Sequence, residues 1–351
     1  MQYKELSRLI EENTDDFIEN TMQCVYENRL SEIEGSERAQ KSRRDLEYII
    51  NYLAESVYFN KQGLFEDFSI WLKSLFKNIG MEENVFRNTY KCLMKSLEKE
   101  FQGPERTYIK NIIKDSMNKA LQKEESIDSF IREDNPYQDY AEEYLNLLLD
   151  NKKKEASQLI TDKALSNMGV DEIYLNIFQP VQKEVGRLWH ANKVSVAQEH
   201  YISSVTQLVM SQLYPHFLSM GGKKGSVVTT AVGNELHEIG IRMIADLLEV
   251  DGYDTIHLGA NTPNESIVKT IMNNQTKLLG VSVTLPIHLS ELENLITMIK
   301  NEKLLKDLKI MVGGYAFNRN PELVNEFEID EYSRDAKDAV KKANSLTEVV
   351  D

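Results

Sequence analysis

The sequence of 351 residues predicts two all-α segments followed by a doubly wound α/β domain. The first observation is periodicity: up to about residue 219, apolar residues recur every three or four positions, as on one face of a helix. The second is a change of period after the glycine-rich segment 221–225, where short β-branched runs alternate with helical patterns. Such alternation is typical of βαβ units and a parallel sheet covered on both faces. The length also favours two or three domains.

Residues 1–125 are predicted to form an all-helical N-terminal domain. Helical patterns span 3–29 and 38–60, and three further helices follow. The breaks between helices are expected at Gly35, Gly63, Gly80 and Gly103-Pro104. Because this region contains no histidine, a haem-binding globin is not expected. Its role is left open between dimerisation, partner binding and sensing.

Composition excludes several classes of protein. The formal net charge of −15 argues against direct binding of nucleic acid, which needs a basic face. The N-terminal segment lacks the apolar core of a signal peptide, and no apolar run is long enough to span a bilayer. Two cysteines are too few for a disulfide framework or a thiolate metal cluster. Cys24 and Cys92 lie on helical patterns, where we expect buried apolar residues rather than attachment points for a bilin. A cytoplasmic protein without membrane contact is predicted.

Residues 137–220 are predicted to form a four-helix bundle, preceded by a charged linker over 123–137 that contains Pro136. Short connections between antiparallel helices are typical of such bundles. Ser195 and Gln198 have the spacing of a capping box, so Ser195 is expected to cap the last helix. The four helices are predicted over 137–150, 154–168, 171–190 and 195–218.

Residues 225–351 are predicted to form the α/β domain, with five strands and a closing helix over 335–344. Five strands that alternate with helices favour a flavodoxin-like (Rossmann-type) fold, which binds its ligand at the carboxyl ends of the strands. The strands are predicted in the runs SVVTTAV, TIHLGA, LLGVSVTL, KIMVGG and EIDEYS.

The turn after the first of these strands reads GNELHEIG. A phosphate-binding turn would need more glycines than Gly233 and Gly240. The turn instead places His237 at the ligand end of the sheet, with Glu235 spaced to accept a bond from one ring nitrogen while the other binds a metal. A surface histidine in an ordinary loop is the alternative interpretation.

Three motifs of the α/β domain, taken together, resemble the cobalamin-binding domain. They are Glu235-x-His237-x-x-Gly240, Ser282-x-Thr284 after the third strand, and Gly313-Gly314 after the fourth. The resemblance implies that His237 is the lower axial ligand of cobalt and that the serine and the small residues make room for the nucleotide tail. The sequence departs from the family where Glu235 replaces a frequent aspartate and Thr284 a frequent leucine.

The stretch GRLWHANKVSVAQEH closes one bundle helix and begins the next. Its spacing of Trp189, Val196, Glu199 and His200 resembles the light-sensing adenosylcobalamin regulators of the carotenoid-repressor (CarH) type. The resemblance implies that these four side chains enclose the adenosyl group above the corrin. It also implies that His190 can take the upper position of cobalt after photolysis. A core tryptophan and two helix-surface histidines would explain the same residues.

The resemblance covers residues 137–347 and leaves the N-terminal domain aside. Some cobalamin photoreceptors, the photocobilins, add biliverdin in a globin-like helical domain. A cluster of aromatic residues in the N-terminal domain would suit such a flat chromophore, although a plain helical core explains it too. The cluster consists of Tyr48, Tyr52, Tyr58, Phe59, Phe65, Phe68, Trp71 and Phe76.

The sequence therefore predicts a cobalamin-binding light sensor rather than an enzyme, with adenosylcobalamin as its cofactor and Co–C photolysis as its switch. A homo-oligomer or a partner signalling protein is expected. The alternative is a corrinoid protein that carries methyl groups between methyltransferases, which would not need the Glu199-His200 pair. A radical mutase would need a substrate barrel, for which the sequence has no segment.

Overall fold

The computed structural model describes residues 2–26, 35–123, 127–216 and 224–347. The chain divides into two compact units, Met1–Ile127 and Asp128–Asp351. The glycine pair at 221–222 and the end of the last predicted bundle helix lie outside the described residues. In the parts of the chain that are described, no helix is both long and apolar enough to cross a membrane.

The first unit consists of helices whose apolar faces pack on one another. One difference from the sequence prediction is a break at Asn13 inside the expected helix 3–29. Asn13 Nδ2 donates to Leu9 O at 2.8 Å and Thr14 Oγ1 donates to Ile10 O at 3.2 Å, so polar side chains compete for the helix carbonyls. The described helices are α1 (Gln2–Glu12), α2 (Thr14–Val25), α3 (Glu37–Tyr58), α4 (Gln62–Asn78), α5 (Glu83–Glu100) and α6 (Gly103–Gln122).

A second difference concerns the connection between α3 and α4. Gly63 lies within α4, and the chain turns at Asn60, whose φ of 51° is in the left-handed region. Asparagine tolerates that conformation better than most residues because its short amide bonds to the local backbone. The predicted breaks at Gly35 and Gly80 are confirmed, since both residues have positive φ between helices.

The structure corrects the interpretation of the two cysteines as buried apolar residues. Cys24 on α2 and Cys92 on α5 form a disulfide, with their Cα atoms 5.6 Å apart. Two cysteines 68 positions apart carry no signal of pairing in the sequence. Their proximity depends on the packing of α2 against α5, which only the fold reveals. The disulfide closes a long loop and therefore restricts the unfolded chain.

Most of the predicted aromatic cluster forms core contacts in this unit. The rings of Tyr52 and Phe68 stack with centroids 3.9 Å apart, and Phe65 lies 6.3 Å from Phe68. Tyr48, by contrast, is exposed. A helical core accounts for these contacts, and the binding of biliverdin stays a prediction.

The second unit begins with the predicted bundle, whose hydrogen bonds confirm the capping box. Gln198 N donates to Ser195 Oγ at 3.2 Å, and Ser195 N donates to Gln198 Oε1 at 3.0 Å. Two of the bundle helices are built from an α-helical and a π-helical part. The elements are α7 (Gln138–Leu149), α8 (Lys153–Gln158) with its π-helical extension Leu159–Ala164, α9 (Val170–Ile173) continued through Tyr174–Phe178 into α10 (Gln179–His190), and α11 (Val196–Leu213).

The segment before α7, predicted as a linker, is ordered against the bundle over its described residues 127–137. Phe130 N donates to Glu184 Oε2 at 3.0 Å, and Asn135 Nδ2 donates to the carbonyl oxygen of Asn176 at 2.7 Å. This segment is therefore not a free linker, because it forms hydrogen bonds with α10 and with the π-helical turn before it.

The rest of the unit is the predicted flavodoxin-like fold. Five parallel strands are ordered β2-β1-β3-β4-β5, and β1 and β3 are in register from Val227 opposite Leu278 to Ala231 opposite Ser282. Helices follow the strands, so the carboxyl ends of the strands meet at one edge. The elements are β1 (Ser226–Ala231), α12 (Ile239–Val250), β2 (Asp254–His257), α13 (Asn264–Asn273), β3 (Leu278–Ser282), α14 (Leu289–Asn301), β4 (Lys309–Gly313), α15 (Tyr315–Arg319), β5 (Glu331–Ser333) and α16 (Ala336–Thr347).

Helix α12 joins the bundle to the sheet. Its Met243 and Leu247 belong to the buried core of the bundle. Polar contacts border this core, among them Tyr174 OH donating to Asp246 Oδ2 at 2.7 Å. Burial raises the pKa of Asp246 to about 6, although the bond from Tyr174 and the charge of Arg242 oppose this. A charged Asp246 therefore lowers the stability of this interface.

Substituting Asp246→Asn is expected to stabilise the second unit at pH 8 by roughly 1 kcal/mol, because the neutral amide avoids the cost of burying a charge. A carboxyl whose pKa is raised on folding contributes most stability when protonated. The native protein should therefore lose stability as the pH rises from about 4 through about 6. The variant should not show this loss. Urea unfolding followed by Trp189 fluorescence, in a Trp71→Phe background, measures both proteins. Equal pH profiles would contradict the assignment.

Candidate functional site

The candidate site is centred on His237, in the loop between β1 and α12. The chain leaves the buried β1, turns at Asn234 with a φ of 64°, and presents His237 with 58% of its side chain exposed. A metal-binding imidazole typically donates its other ring nitrogen to a carboxylate, which is the arrangement that His237 and Glu235 offer. The loop thus places a nitrogen ligand at the carboxyl edge of the sheet.

Glu235 fixes the orientation of that imidazole. Its carboxylate is completely buried, and Oε1 accepts from His237 N at 3.0 Å and pairs with His237 Nδ1 at 2.5 Å. Its other oxygen, Oε2, accepts from the backbone nitrogens of Thr284 at 3.0 Å and Leu285 at 2.8 Å. One side chain therefore joins the His237 loop to the loop that follows β3. Because Nδ1 is bonded to Glu235, Nε2 is the nitrogen left to bind a metal.

The electrostatics of the pair follow from these contacts. Burial alone would raise the pKa of Glu235, but the bond and charge of His237 and the backbone donors lower it to about 2. The hydrogen bond to Glu235, and the charges of Glu235 and Glu199, raise the pKa of His237 against the effect of burial. Glu235 is therefore ionised whenever the chain is folded near neutral pH.

The predicted small residues lie at the ends of the neighbouring strands. Gly314 has a φ of 107°, and a Cβ there would lie 2.2 Å from the carbonyl oxygen of Val283. A Cβ on Gly313 would lie 2.9 Å from the carbonyl oxygen of Ser333. Ser282, the last residue of β3, is buried, and Thr284 is half-buried. Only glycine fits at 313–314, so no side chain projects from the end of β4 toward the neighbouring strands β3 and β5.

Gly240 has a different environment from the other glycines predicted for the site. It lies in the first turn of α12, is exposed, and has no atom within 4 Å of the position that a Cβ would take. No close contact therefore requires glycine at this position in the described part of the chain.

Two further histidines lie at the same edge, although the sequence interpretation did not single them out. His288 comes six residues after the end of β3 (282 to 288), just as His237 comes six residues after the end of β1 (231 to 237). Burial lowers the pKa of His288, the charge of Glu235 opposes this effect, and the charge of His237 adds to it. His257 ends β2, where its Nδ1 lies 3.0 Å from Thr229 Oγ1. The distance from each strand end was the available signal for His288.

Glu199 is a bundle residue whose negative charge helps to raise the pKa of His237. Its Oε1 accepts from Ser203 Oγ at 2.8 Å, and its Oε2 lies 2.7 Å from His200 Nδ1. Gln182 Oε1 lies 3.1 Å from the same Ser203 hydroxyl. Glu199 is thus held in place from α10 and α11, while 74% of the His200 side chain is exposed.

The remaining upper-site residues have different environments. Trp189 is half-buried and His190 is buried, with 6% of its surface exposed, at the end of α10. Val196 begins α11 with 52% exposed. The role of His190 as an upper ligand stays a prediction.

Comparison with protein families supplies the nature of the ligand. Residues 225–341 match a family model described as B12 binding domain, and residues 140–214 match a second model with the same description. The chain carries B12-binding domains. The α/β part is the B12-binding domain proper, and the bundle is its helical cap. Their cofactor is a corrinoid, and the flavodoxin-like fold with a helical cap is confirmed.

Relatives of the B12-binding segment are known. "Dimethylamine corrinoid protein 1" from Methanosarcina acetivorans is 25% identical over 199 residues, which cover 55% of this chain and 91% of that protein. "Corrinoid protein DSY3155" from Desulfitobacterium hafniense is 24% identical over 196 residues, covering 55% and 88%. The solved structure of the Methanosarcina barkeri monomethylamine corrinoid protein has the same fold, with a TM-score of 0.54, 20% identity and coverage of 60% and 99%.

The residues present fit a cobalamin. A nitrogen ligand is exposed at the ligand edge of the B12-binding domain, and the carboxylate behind it carries a full set of donors. The glycines at 313–314 leave the end of β4 without side chains, where a bulky nucleotide tail needs room. His237 would hold the cobalt from below, and Glu199 would face its upper side from the cap.

Proposed function

We propose that the chain is a corrinoid methyl carrier of a methyltransferase system, and not itself an enzyme. The observation that carries this proposal is the match of its cap and B12-binding domain to more than nine-tenths of a dimethylamine corrinoid protein. The first 125 residues form a helical region outside both matched B12-binding models. Methylated amines are therefore the donors to test first, and a methyltransferase is the partner class.

When bound, cobalamin supplies a cobalt whose upper position accepts and releases a methyl group. The chain's part is to set the lower side. Glu235 holds the proton on His237 Nδ1, so that Nε2 keeps a lone pair for the metal. Its bonds to the nitrogens of Thr284 and Leu285 prevent the carboxylate from following the ring. The imidazole would thus keep its orientation when it binds the metal.

The cap contributes the upper side. Glu199 supplies a fixed acceptor, because Ser203 and His200 hold both of its oxygens. Trp189 supplies a flat, half-buried apolar side chain that can keep water from the reacting position. A carrier must also expose its methyl group to a partner, and Val196 and His200 on the cap are both exposed.

A second candidate, a light-responsive adenosylcobalamin sensor, is favoured by the Glu199-His200 pair alone. An ordered acceptor beside a donor suits the ribose and adenine of an adenosyl group. Neither named relative is described as a light sensor. The binding of biliverdin to residues 1–125 is a separate hypothesis, which absorbance at red wavelengths after expression with biliverdin would test.

The experiment that separates the two functions starts from the full chain loaded with cobalamin. With reductant, a methylated amine and a panel of purified methylamine methyltransferases, we expect the absorbance spectrum to change to that of the methylated cofactor. Omission of the methyltransferase is the control. A carrier should also bind methylcobalamin and adenosylcobalamin within about threefold of each other. No methylation with any donor, together with a preference for adenosylcobalamin above tenfold, would instead support the sensor.

A further inference from the structure

Three oxygen atoms converge beside the His237 loop, at the carboxyl edge of the sheet. They surround the place where Gly233, just after β1, has no side chain. A Cβ on Gly233 would lie 3.7 Å from Glu291 Oε2, 3.8 Å from Asn264 Oδ1 and 3.9 Å from the carbonyl oxygen of Thr262. Asn264 begins α13, and Glu291 lies in the first turn of α14. We call these three oxygens the acceptor cradle.

One oxygen of the acceptor cradle lacks a partner. Asn264 is 9% exposed, and its Nδ2 donates to the carbonyl oxygen of Glu291 at 3.3 Å and to Glu291 Oε2 at 3.2 Å. Among the described residues, nothing donates to Asn264 Oδ1. The amide cannot turn over to hide this oxygen, because Oδ1 would then lie against two acceptors of Glu291. A buried acceptor without a donor is unfavourable, so the position calls for an N–H or O–H group from a ligand.

The acceptor cradle selects the chemistry of that group. Asn264 Nδ2 donates to two oxygens of Glu291, and the three atoms nearest to the position of a Cβ on Gly233 are all acceptors. Glu291 adds a carboxylate, so an anion would be repelled and a neutral donor accepted. Gly233 places no side chain between the three oxygens, and a Cβ there would lie at ordinary contact distance from each of them.

We propose that the acceptor cradle binds a primary carboxamide on the rim of the corrin. That rim carries acetamide and propionamide groups, and each –NH2 offers two hydrogens to Asn264 Oδ1 and Glu291 Oε2. Gly233 lies four residues before His237 on the same loop, so a corrin held by His237 has its rim at this edge. The inference rests on cobalamin as the cofactor and is independent of methyl transfer.

The test uses cobalamin derivatives in which one rim amide at a time is hydrolysed to a carboxylic acid. Dissociation constants come from absorbance titration of the cofactor-free full chain. At neutral pH, we expect one positional isomer to bind at least tenfold more weakly than cobalamin, because its carboxylate would face Glu291. In the Glu291→Gln variant, that isomer should recover at least most of this loss. Because Glu291 is itself part of the acceptor cradle, cobalamin is measured with the same variant, and the ratio of the two affinities is the readout.

Two further variants complete the test. Glu265→Gln, which neutralises an exposed carboxylate next to Asn264, is the matched control and should leave the discrimination unchanged. Gly233→Ala places a methyl group at ordinary contact distance from the three oxygens, so the chain should fold while cobalamin binds more weakly and the isomers bind alike. If no isomer is disfavoured by the native chain, or if Glu265→Gln restores binding as well as Glu291→Gln, the assignment is overturned. Failure to bind any cobalamin would overturn the cofactor instead.

Discussion

Substituting His237→Ala is expected to lower the affinity for cobalamin more than any other single change. Loss of an outer partner of a metal ligand commonly costs roughly 10- to 100-fold in affinity, and loss of the ligand itself should exceed that. His237 is the exposed histidine that Glu235 orients at the carboxyl edge of the sheet, whereas His257 and His288 at the same edge are half-buried. Absorbance titration with hydroxocobalamin measures the affinity and shows whether a nitrogen ligand has been lost.

The matched control is His200→Ala. This histidine is also exposed and also pairs with a glutamate, yet it lies on the cap. We expect His200→Ala to retain hydroxocobalamin with an unchanged lower-ligand spectrum. Exogenous imidazole should partly restore the spectrum of His237→Ala, since it can bind the vacated cobalt position. If His237→Ala retains cobalamin with the native affinity and spectrum, His237 is not the lower ligand.

The sequence was sufficient for the sheet and for the position of the key histidine. Parallel strands are buried on both faces, so runs such as SVVTTAV and LLGVSVTL differ clearly from the helical patterns around them. The strand end fixes the start of the loop, and the loop places His237 at the ligand edge. Periodicity and turn residues are local signals, which explains why this part was predictable.

The contacts that complete the site could not be predicted in the same way. Glu235 bonds to backbone nitrogens 49 and 50 positions further along the chain, and any residue type supplies a backbone N–H. Asn264 and Glu291 meet only because β1 lies between β2 and β3 in the sheet. The Cys24–Cys92 disulfide likewise depends on which helices become neighbours. Long-range partners without a distinctive residue type leave no local pattern.

The photoreceptor hypothesis illustrates the difference between a motif and a function. Trp189, Val196, Glu199 and His200 have the spacing of the light-sensing regulators, but the named relatives of the cap and the B12-binding domain are corrinoid proteins. A helix–turn–helix above a corrinoid would suit such a spacing whatever the upper ligand is. The motif therefore does not identify the reaction, and the role of these four residues stays a prediction.

Glu235→Gln is expected to damage both the fold and the site, although the two side chains have nearly the same shape. Each carboxylate oxygen of Glu235 accepts from two nitrogens, and glutamine has one acceptor oxygen. Whichever way the amide turns, its –NH2 group faces two N–H donors in a fully buried position. Leaving buried donors unpaired costs roughly 1–3 kcal/mol each, so we expect a loss of about 2–5 kcal/mol in the free energy of unfolding.

The loss in affinity should follow the loss of orientation. With no carboxylate to hold the proton on Nδ1, His237 can rotate or present its protonated nitrogen, and cobalamin should bind roughly 10- to 100-fold more weakly. Urea unfolding gives the stability, and absorbance titration at low temperature, where the variant stays folded, gives the affinity. The exposed Glu322→Gln is the control for a change of one charge. A residue that supports the loop and orients His237 must affect both the free energy of unfolding and the affinity for cobalamin when one of its acceptors is removed. If Glu235→Gln matches this control in both measurements, Glu235 therefore has neither role.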